Sequence, residues 1–509
     1  MNLSSVKPEH VAFGLAAVLA AMVALWPLGL ALDYPNHLAR TYIQGHLATE
    51  PALQAFYAVS FDLIPDLTMD MIVPWLSQWI GIYAAGGVTI WLALILPPLA
   101  GLALAKHFHG RVTWISMLGF LTVFNANMGW GFVNYAASSG LALLAFALWV
   151  RMSPSWRRTL VFAPIGLFLV ANHALAFLLF GFLAFSWEVI GFFREERRSL
   201  WGFVRQSVFL DLPAMLAGLV FIALSMQSAV DLPKDVVPLY DFQLKAGILT
   251  AATNFNNPQL ALIAFLSIAV FFWAAIRNRW VSFANKTGWL CLAFLTLVIV
   301  IPSSIFGIWG LHLRFTAPLL IVAAASMTVT ADFPARLKPA VTAGFAVLTI
   351  LLFANAGLRL SETHRQTLAL QDQLTAVPKG SKVLGVYADL SSRTAFNSHA
   401  LSFAVIERAA YVPNLFTNTS FVDVTPAMVD FHMPQSDPVL AKNLATLAER
   451  PAIASENGFW SKGFANDWPE QWDYLLMFKT AEQDGLSDLP VCAVSATPQV
   501  IIYKTEPCA

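Results

Sequence analysis

The chain has 509 residues, of which 58% are hydrophobic and only 12% are charged, whereas soluble domains usually carry about 25% charged residues. Thirty Lys and Arg residues balance thirty Asp and Glu residues, so no net positive charge is available to attract a nucleic acid. This composition excludes a soluble enzyme, a disordered chain and a nucleic-acid-binding protein. It indicates a polytopic α-helical membrane protein, because the apolar runs are long and continuous rather than alternating as in barrel strands.

The apolar runs predict about eleven membrane spans, since a helix needs roughly 20 apolar residues to cross the hydrocarbon core. They cover residues 11–32, 84–106, 112–127, 132–150, 158–172, 174–193, 208–229, 258–276, 287–302, 313–330 and 339–357. The fifth and sixth spans form one apolar run, which we divide at the polar break Asn172-His173. The first span is long for a signal peptide and lacks a clear small-residue cleavage site, so we expect it to be a membrane helix.

The cations are distributed unevenly between the two sides of these spans. With a cytoplasmic N-terminus, fifteen cations fall in cytoplasmic segments: Lys7, Lys106, Arg111, Arg151, Arg157, Arg158, Arg194, Arg197, Arg198, Arg205, Arg277, Arg279, Lys286, Arg336 and Lys338. Only four fall in the opposite loops ahead of the C-terminal region: Arg40, Lys234, Lys245 and Arg314. The positive-inside rule therefore predicts a cytoplasmic N-terminus and, with an odd number of spans, an extracytoplasmic C-terminus.

Two domains are expected. Residues 1–357 would form the transmembrane domain, with a large first external loop over about 33–83 and a second around 230–257. Residues 358–509 are enough for one extracytoplasmic domain, and their pattern favours an α/β fold. The expected strands are 381–387, 474–478 and 500–503, and the expected helices are 400–410 and 438–449.

The three cysteines carry little functional information. Cys291 lies in an apolar run and is interpreted as a small core residue. Cys492 and Cys508 lie near the C-terminus, where a disulfide could form if this region is extracytoplasmic. The sequence leaves that pairing open.

The first external loop is the most informative segment. Asp33 directly follows the first span, and Pro35 is well placed to begin a helix. Apolar residues recur at helical spacing over 37–47, so this helix could lie flat on the membrane surface. A second amphipathic helix over 64–80 carries Trp75 and Trp79. Two interfacial helices in one loop can enclose a groove beside the bilayer.

Acids and a histidine of this loop are candidate site residues. A carboxylate at the membrane interface is partly desolvated, which suits Asp33 to act as a general base; the alternative is a plain interfacial acid at a helix end. His37, one turn further on, could face the same cavity or serve only the structure. Asp66 and Asp70 would share one helix face and could bind a divalent cation together with Asp33, or they could be solvated or cap a helix.

Further polar groups lie at the predicted outer turns. Asn134 belongs to a polar cluster around 125–135, and His173 lies between two short spans. Polar groups within a membrane are costly and often functional, although interhelical hydrogen bonds are the alternative. His312 and Arg314 precede the tenth span. An arginine at a membrane surface suits phosphate binding, with contact to lipid headgroups as the alternative.

This layout resembles the GT-C glycosyltransferases, which use polyprenyl-phosphate-linked sugars as donors. More specifically, it resembles uncharacterised bacterial membrane proteins with a D-x-P-x-H segment after the first span. The matching segments are 33–40 (DYPNHLAR), 65–70 (PDLTMD), 129–135 (GWGFVNY) and 399–408 (HALSFAVIER). The carboxylate pair common just after the first span in that superfamily is absent here, because Tyr34 follows Asp33.

The resemblance implies a transferase of the bacterial inner membrane, acting on its periplasmic face. Asp33 would be the general base of an inverting displacement, and Arg314 with His312 would neutralise the departing phosphate. His37 and Asp70 would position the substrates, with His173 and Asn134 as further binding residues. The donor would be a lipid-linked sugar, and the acceptor a glycan, a lipid or a protein.

Two other function classes stay open from the sequence. A transporter or flippase of a polysaccharide precursor would use the polar cluster 125–135 and His173 as its path. A non-enzymatic envelope-assembly protein would bind a partner through its C-terminal domain. The chain contains no P-loop, GxGxxG, HExxH or nucleophile-elbow motif, which weakens ATP-driven transport and zinc proteolysis.

Overall fold

The computed structural model of the chain describes residues 7–30, 32–60, 64–194, 199–228, 240–305, 308–394, 396–417, 421–432, 438–450 and 463–508. Part of the predicted second external loop therefore lies outside the described residues, as do Arg197, Arg198 and Lys234 of the charge count.

The described α-helices are α1 (Pro8–Leu25), α2 (Tyr34–His46), α3 (Pro51–Phe56), α4 (Thr68–Ile80), α5 (Ile82–His109), α6 (Ala126–Trp130), α7 (Val133–Trp149), α8 (Trp156–Asn172), α9 (Ala174–Arg194), α10 (Leu200–Gln206), α11 (Leu212–Ser228), α12 (Phe242–Ala246), α13 (Ile248–Ala251), α14 (Pro258–Arg277), α15 (Thr287–Val300), α16 (Leu311–Arg314), α17 (Thr316–Ser326), α18 (Lys338–Leu374), α19 (Asn397–Ala400), α20 (Phe403–Arg408), α21 (Leu444–Ala448) and α22 (Trp468–Gln471). A π-helical segment over Ser207–Asp211 joins α10 to α11. Short 3₁₀ helices cover Ile115–Thr122, Ala335–Leu337, Leu390–Ser392, Pro426–Phe431, Ala441–Asn443 and Gly463–Ala465.

The strands are β1 (Tyr57–Val59), β2 (Val281–Phe283), β3 (Ser304–Ile305), β4 (Ile308–Trp309), β5 (Met327–Val329), β6 (Val383–Tyr387), β7 (Val422–Val424), β8 (Tyr474–Phe478), β9 (Cys492–Ala496) and β10 (Val500–Lys504). A four-stranded sheet has the order β6-β8-β10-β9. Strands β6 and β8 run parallel, whereas β10 is antiparallel to both of its neighbours. The pairs β1–β7, β2–β5 and β3–β4 are antiparallel.

The chain is a multi-pass membrane protein. Six described helices are long and apolar enough to cross a membrane: Pro8–Leu25, Ile82–His109, Ala174–Arg194, Leu200–Ser225, Pro258–Arg277 and Ala335–Leu374. Three shorter apolar helices cover Val133–Trp149, Thr287–Val300 and Leu311–Ser326. The predicted division of the fifth and sixth spans is confirmed, because α8 ends at Asn172 and α9 begins at Ala174.

The prediction of an α-helical membrane span is wrong for one segment. Within 112–127, the structure has a 3₁₀ helix over Ile115–Thr122 instead of a membrane-length α-helix. Side chains hydrogen-bond to carbonyls three residues earlier, from Ser116 to Thr113 at 2.6 Å and from Thr122 to Gly119 at 2.8 Å. These local bonds suit the tighter helix, and hydropathy alone does not distinguish the two helix types.

The chain divides into two compact units, which are described separately. The first unit comprises Met1–Leu25, Pro65–Thr68 and Val88–Leu358. The second unit comprises Trp26–Ile64, Met69–Gly87 and Arg359–Ala509. Most of the first external loop thus clusters with the C-terminal segment.

Helix packing in the first unit depends on aromatic rings and on close backbone approach. Trp149, Phe162 and Phe180 are fully buried, and their rings lie 4.8 to 5.8 Å apart. At Gly140, an added Cβ would lie 2.5 Å from the Cβ of Leu96. Glycine is therefore required where α7 meets α5.

The second unit contains the four-stranded sheet and the helices around it. Strands β6, β8 and β10 confirm the three predicted strands. The predicted helix 400–410 is shorter, because α20 covers only Phe403–Arg408 and Ala409 takes a left-handed conformation with φ of 49°. Residues 438–449 likewise form a helix only over Ala441–Asn443 and Leu444–Ala448. Cys492 and Cys508 form a disulfide, which resolves the pairing that the sequence left open.

Candidate active site

Asp33 directly precedes α2. It occupies the N-cap position, with Pro35 in the first turn as expected, but its side chain makes no capping hydrogen bond. Instead, its Oδ1 atom lies 3.5 Å from Nε2 of His399. Both side chains are mostly buried, with exposed fractions of 22% for Asp33 and 16% for His399. Within the second unit, the acid from the first loop therefore meets a histidine from the C-terminal segment.

Asn36 binds the backbone of the C-terminal segment close to this pair. It is fully buried, its Oδ1 accepts a hydrogen bond from the backbone N–H of Phe416 at 2.7 Å, and its Nδ2 donates to the carbonyl of Asn414 at 2.8 Å. These two bonds determine which end of the amide is the donor. The same Nδ2 lies 3.3 Å from Nδ1 of His399, so Nδ1 is the acceptor.

The protonation state of His399 follows from its burial and from its contact with Asn36. Burial, with a smaller contribution from the charge of Arg393, lowers the pKa of His399 to about 4. Because Nδ1 accepts from Asn36, the single proton of the neutral ring is on Nε2, the atom that faces Asp33. The ring also packs edge-on against Phe416, at 4.9 Å between centroids. His399 is thus held from three sides.

Helix α2 carries a second buried polar contact. Arg40 Nη2 donates to Oδ2 of Asp70 at 2.7 Å, and Gln44 Nε2 donates to Oδ1 at 2.7 Å. The side chains of Arg40 and Asp70 are completely buried. Burial raises the pKa of Asp70, and the Arg40 guanidinium opposes that effect. The pair joins α2 to α4, and both oxygens of Asp70 are already engaged.

The expectation that Asp66 and Asp70 share one helix face is wrong, because α4 begins at Thr68 and Asp66 precedes it. No group of three or more His, Cys, Asp or Glu side chains that could hold a metal occurs in the part of the chain that the structure describes. Both carboxylate oxygens of Asp70 are engaged by Arg40 and Gln44, and a divalent cation bound by Asp33, Asp66 and Asp70 stays a prediction.

In the first unit, Arg314 lies among aromatic rings and a histidine. Its guanidinium carbon is 4.0 Å from the centroid of the Phe132 ring, a cation–π contact. Its Nη1 lies 3.4 Å from Nε2 of His173, and the same Nε2 lies 3.8 Å from Oδ1 of Asp66. The Tyr135 hydroxyl donates to the Arg314 carbonyl at 3.0 Å and fixes its backbone.

A backbone hydrogen bond determines which ring nitrogen of His173 carries the proton. The backbone N–H of Leu175 donates to Nδ1 of His173 at 3.1 Å, so the proton of the neutral ring is on Nε2. The Arg314 guanidinium is also a donor, and it lies beside this ring and the Asp66 carboxylate. A guanidinium is suited to bind a carboxylate or phosphate oxygen.

Three other candidate residues are buried, two in the first unit and one in the second. Asn134 is buried, and its Nδ2 donates to the carbonyl of Asp66 at 3.0 Å, so it supports the segment that carries that acid. His312 is fully buried in α16, the short helix that ends at Arg314. His37 belongs to the second unit, where it is buried and packs edge-on against Phe416, at 5.8 Å between ring centroids. Their binding roles stay predictions.

Sequence reasoning missed two of the residues that surround Asp33. His399 appeared only inside a segment that resembled a family, with no role attached, and Asn36 was not singled out. The only signal for Asn36 was its position one turn after Asp33 at the beginning of a helix. Its partners at 414 and 416 are far away in the chain, and such contacts leave no local pattern.

The overall fold is similar to that of two solved structures. The chain is similar to the crystal structure of ArnT from Cupriavidus metallidurans bound to undecaprenyl phosphate, with a TM-score of 0.53, 12% identity and coverage of 97% of both chains. It is also similar to the cryo-EM structure of the arabinofuranosyltransferase AftD from Mycobacteria, with a TM-score of 0.51 and 15% identity. That match covers 99% of this chain and 40% of AftD. No protein-family model matches the chain, and no curated protein matches it in sequence.

Proposed function

We propose that the protein is an integral-membrane glycosyltransferase that moves a sugar from a polyprenyl-phosphate donor to a glycan, lipid or protein acceptor of the cell envelope. The observation that carries this proposal is the likeness, over 97% of both chains, to a structure of ArnT that holds undecaprenyl phosphate. Asp33 adds a chemical argument, because a mostly buried carboxylate follows the first membrane helix at the position where the superfamily places its base.

The proposed reaction is a single displacement. The Asp33 carboxylate takes the proton of an acceptor hydroxyl, whose oxygen attacks the anomeric carbon of the sugar. The new glycosidic C–O bond forms while the bond from that carbon to the phosphate oxygen breaks, and the electron pair leaves with the polyprenyl phosphate. The anomeric configuration is inverted, because attack and departure occur on opposite faces.

A phosphate leaving group needs donors that stabilise its growing negative charge. The Arg314 guanidinium is such a donor in the first unit, and the His173 ring lies beside it. Phe132 holds the guanidinium plane in place through its ring. We therefore assign phosphate recognition to Arg314, with His173 as its neighbour and His312 in the helix that carries it.

The proposed location is the bacterial inner membrane, with a cytoplasmic N-terminus and a periplasmic second unit. The charge distribution of the sequence supports this orientation. Reporter fusions after residues 194 and 374 test it: a cytoplasmic reporter should be active after residue 194, and a periplasmic reporter should be active after residue 374. The reverse pattern would contradict the proposed sidedness.

The decisive experiment is transfer of a labelled sugar from a polyprenyl-phosphate donor by the full-length protein in membranes. Asp33→Asn removes the base with little change of shape, and it should lower the transfer rate by about 10²-fold or more. Asp372→Asn is the matched control, since Asp372 is an exposed acid of α18 in the same unit. Unchanged transfer by Asp33→Asn at equal protein level would refute the assignment of the base. Sugar uptake into vesicles without any new glycosidic bond would favour a transporter.

A further inference from the structure

The C-terminal segment reaches the first loop through several independent contacts within the second unit. Strand β7 pairs with β1, with Tyr57 opposite Val424. The Tyr57 hydroxyl donates to the carbonyl of Ala410 at 3.2 Å. Asn36 binds the backbone at Asn414 and Phe416. The chain that follows His399 is therefore anchored to the first loop at residues 410, 414, 416 and 424, and this packing limits where the histidine can lie relative to α2.

The backbone of His399 is adapted to this position. Inside α19 it takes φ of −131° and ψ of 15°, which interrupts the helix. The chain then continues through Leu401 into α20, whose Phe403, Ala404 and Val405 are buried. A regular helix would give residue 399 a different side-chain direction, so the interruption is part of how the ring comes to face Asp33.

We infer that His399 is a positioning residue for the proposed base Asp33. Its Nε2–H, aimed by the contact of Asn36 with Nδ1 and by the edge-on packing against Phe416, holds the Asp33 carboxylate in the orientation needed for the acceptor hydroxyl. The inference rests on the proposed function, and it extends that function by making the C-terminal segment part of the catalytic machinery.

The geometry offers a matched pair of substitutions. The amide nitrogen of glutamine occupies the place of Nε2, so His399→Gln keeps a donor directed at Asp33. The shorter amide of asparagine occupies the place of Nδ1, so His399→Asn keeps a partner for Asn36 but loses the donor toward Asp33. A purely structural role of the histidine predicts similar losses for both variants.

The first measurement is steady-state transfer by the full-length protein. His399→Asn should lower kcat by about tenfold or more, because small displacements of a reacting group are costly, while KM for the lipid-linked donor changes by less than about twofold. His399→Gln should retain kcat within about threefold of the wild type. Equal rates for the wild type and His399→Asn, with Asp33→Asn inactive, would overturn the inference and leave the proposed function intact.

The second measurement needs no activity. Melting temperatures are compared for the wild type, Asp33→Asn, His399→Asn and the double variant. Residues in contact give non-additive effects, so the shift of the double variant should differ from the sum of the single shifts by about 2 °C or more. Additive shifts overturn the inference. If the wild type transfers no sugar, the proposed function fails, and this cycle still decides whether Asp33 and His399 interact.

Discussion

Helices α2 and α4 come from the same loop and show the same amphipathic pattern, yet they have different surroundings. Every residue from Tyr34 to Thr41 in α2 is buried. In α4, Met71, Trp75 and Trp79 form an exposed apolar stripe at helical spacing. The expectation that both lie on the membrane surface is therefore wrong for α2, because the C-terminal segment covers it. Helical periodicity reveals that a face is to be covered, but it does not reveal whether protein or lipid covers it.

The largest expected effect concerns the buried pair that joins these helices. Arg40→Met leaves the Asp70 carboxylate buried without its cation, which should cost about 3–5 kcal/mol of unfolding free energy. The measurement is thermal unfolding together with the yield of monodisperse protein. Arg40→Met combined with Asp70→Leu is the control, and it should recover most of the loss. A single variant as stable as the wild type would show that the pair is solvated.

The second effect is a pH dependence of stability that comes from His399, in the segment that covers α2. His399 has a pKa of about 4 when folded, against an ordinary value of 6.5. The unfolded chain therefore binds a proton first, and the free energy of unfolding falls as the pH decreases from 6.5 toward 4, whereas this contribution is fully kept above 6.5. The loss can reach about 3 kcal/mol.

His399→Gln tests this effect, because glutamine does not titrate. Melting temperatures at pH 7 and pH 4.5 should differ less for this variant than for the wild type. His432, whose pKa burial lowers to about 3, remains in both proteins and provides a common background. Identical pH dependence of the two proteins would contradict a buried neutral His399.

A smaller effect is expected at Asn36. Asn36→Ala removes hydrogen bonds to the backbone at Asn414 and Phe416 and leaves buried groups unsatisfied, at a cost of about 1–3 kcal/mol. Gln78→Ala, an exposed polar site on α4, is the matched control and should have no measurable effect. Equal stability of the two variants would mean that the C-terminal segment does not cover α2.

The smallest effect is expected on the exposed stripe of α4. In detergent, Trp75→Ala and Trp79→Ala should each change stability by less than about 0.5 kcal/mol, because their side chains touch little of the protein. Thermal unfolding beside the wild type gives the comparison. A loss as large as that of Asn36→Ala would show that protein covers this face, and it would remove the difference between α2 and α4.

The local elements of the fold could largely be predicted. Apolar run length identified α5, α9 and α14, and β-branched or aromatic runs identified β6, β8 and β10. The pattern was insufficient at 115–122, where side-chain hydrogen bonds favour a 3₁₀ helix, and after Arg408, where a left-handed residue ends α20 early. Such endings depend on hydrogen bonds and single backbone angles, to which average hydropathy is insensitive.

The sequence by itself determined that the chain lies in a membrane, and it singled out Asp33 and Arg314, because charge is rare in such a chain and its position relative to the spans is informative. Only the tertiary structure decided the partners of these residues. His399 meets Asp33 and Asn36 through contacts between segments more than 300 residues apart in the chain, and His173, between α8 and α9, meets Arg314 of α16. Periodicity reports on neighbours along one element, whereas the geometry of a site depends on which distant elements pack together.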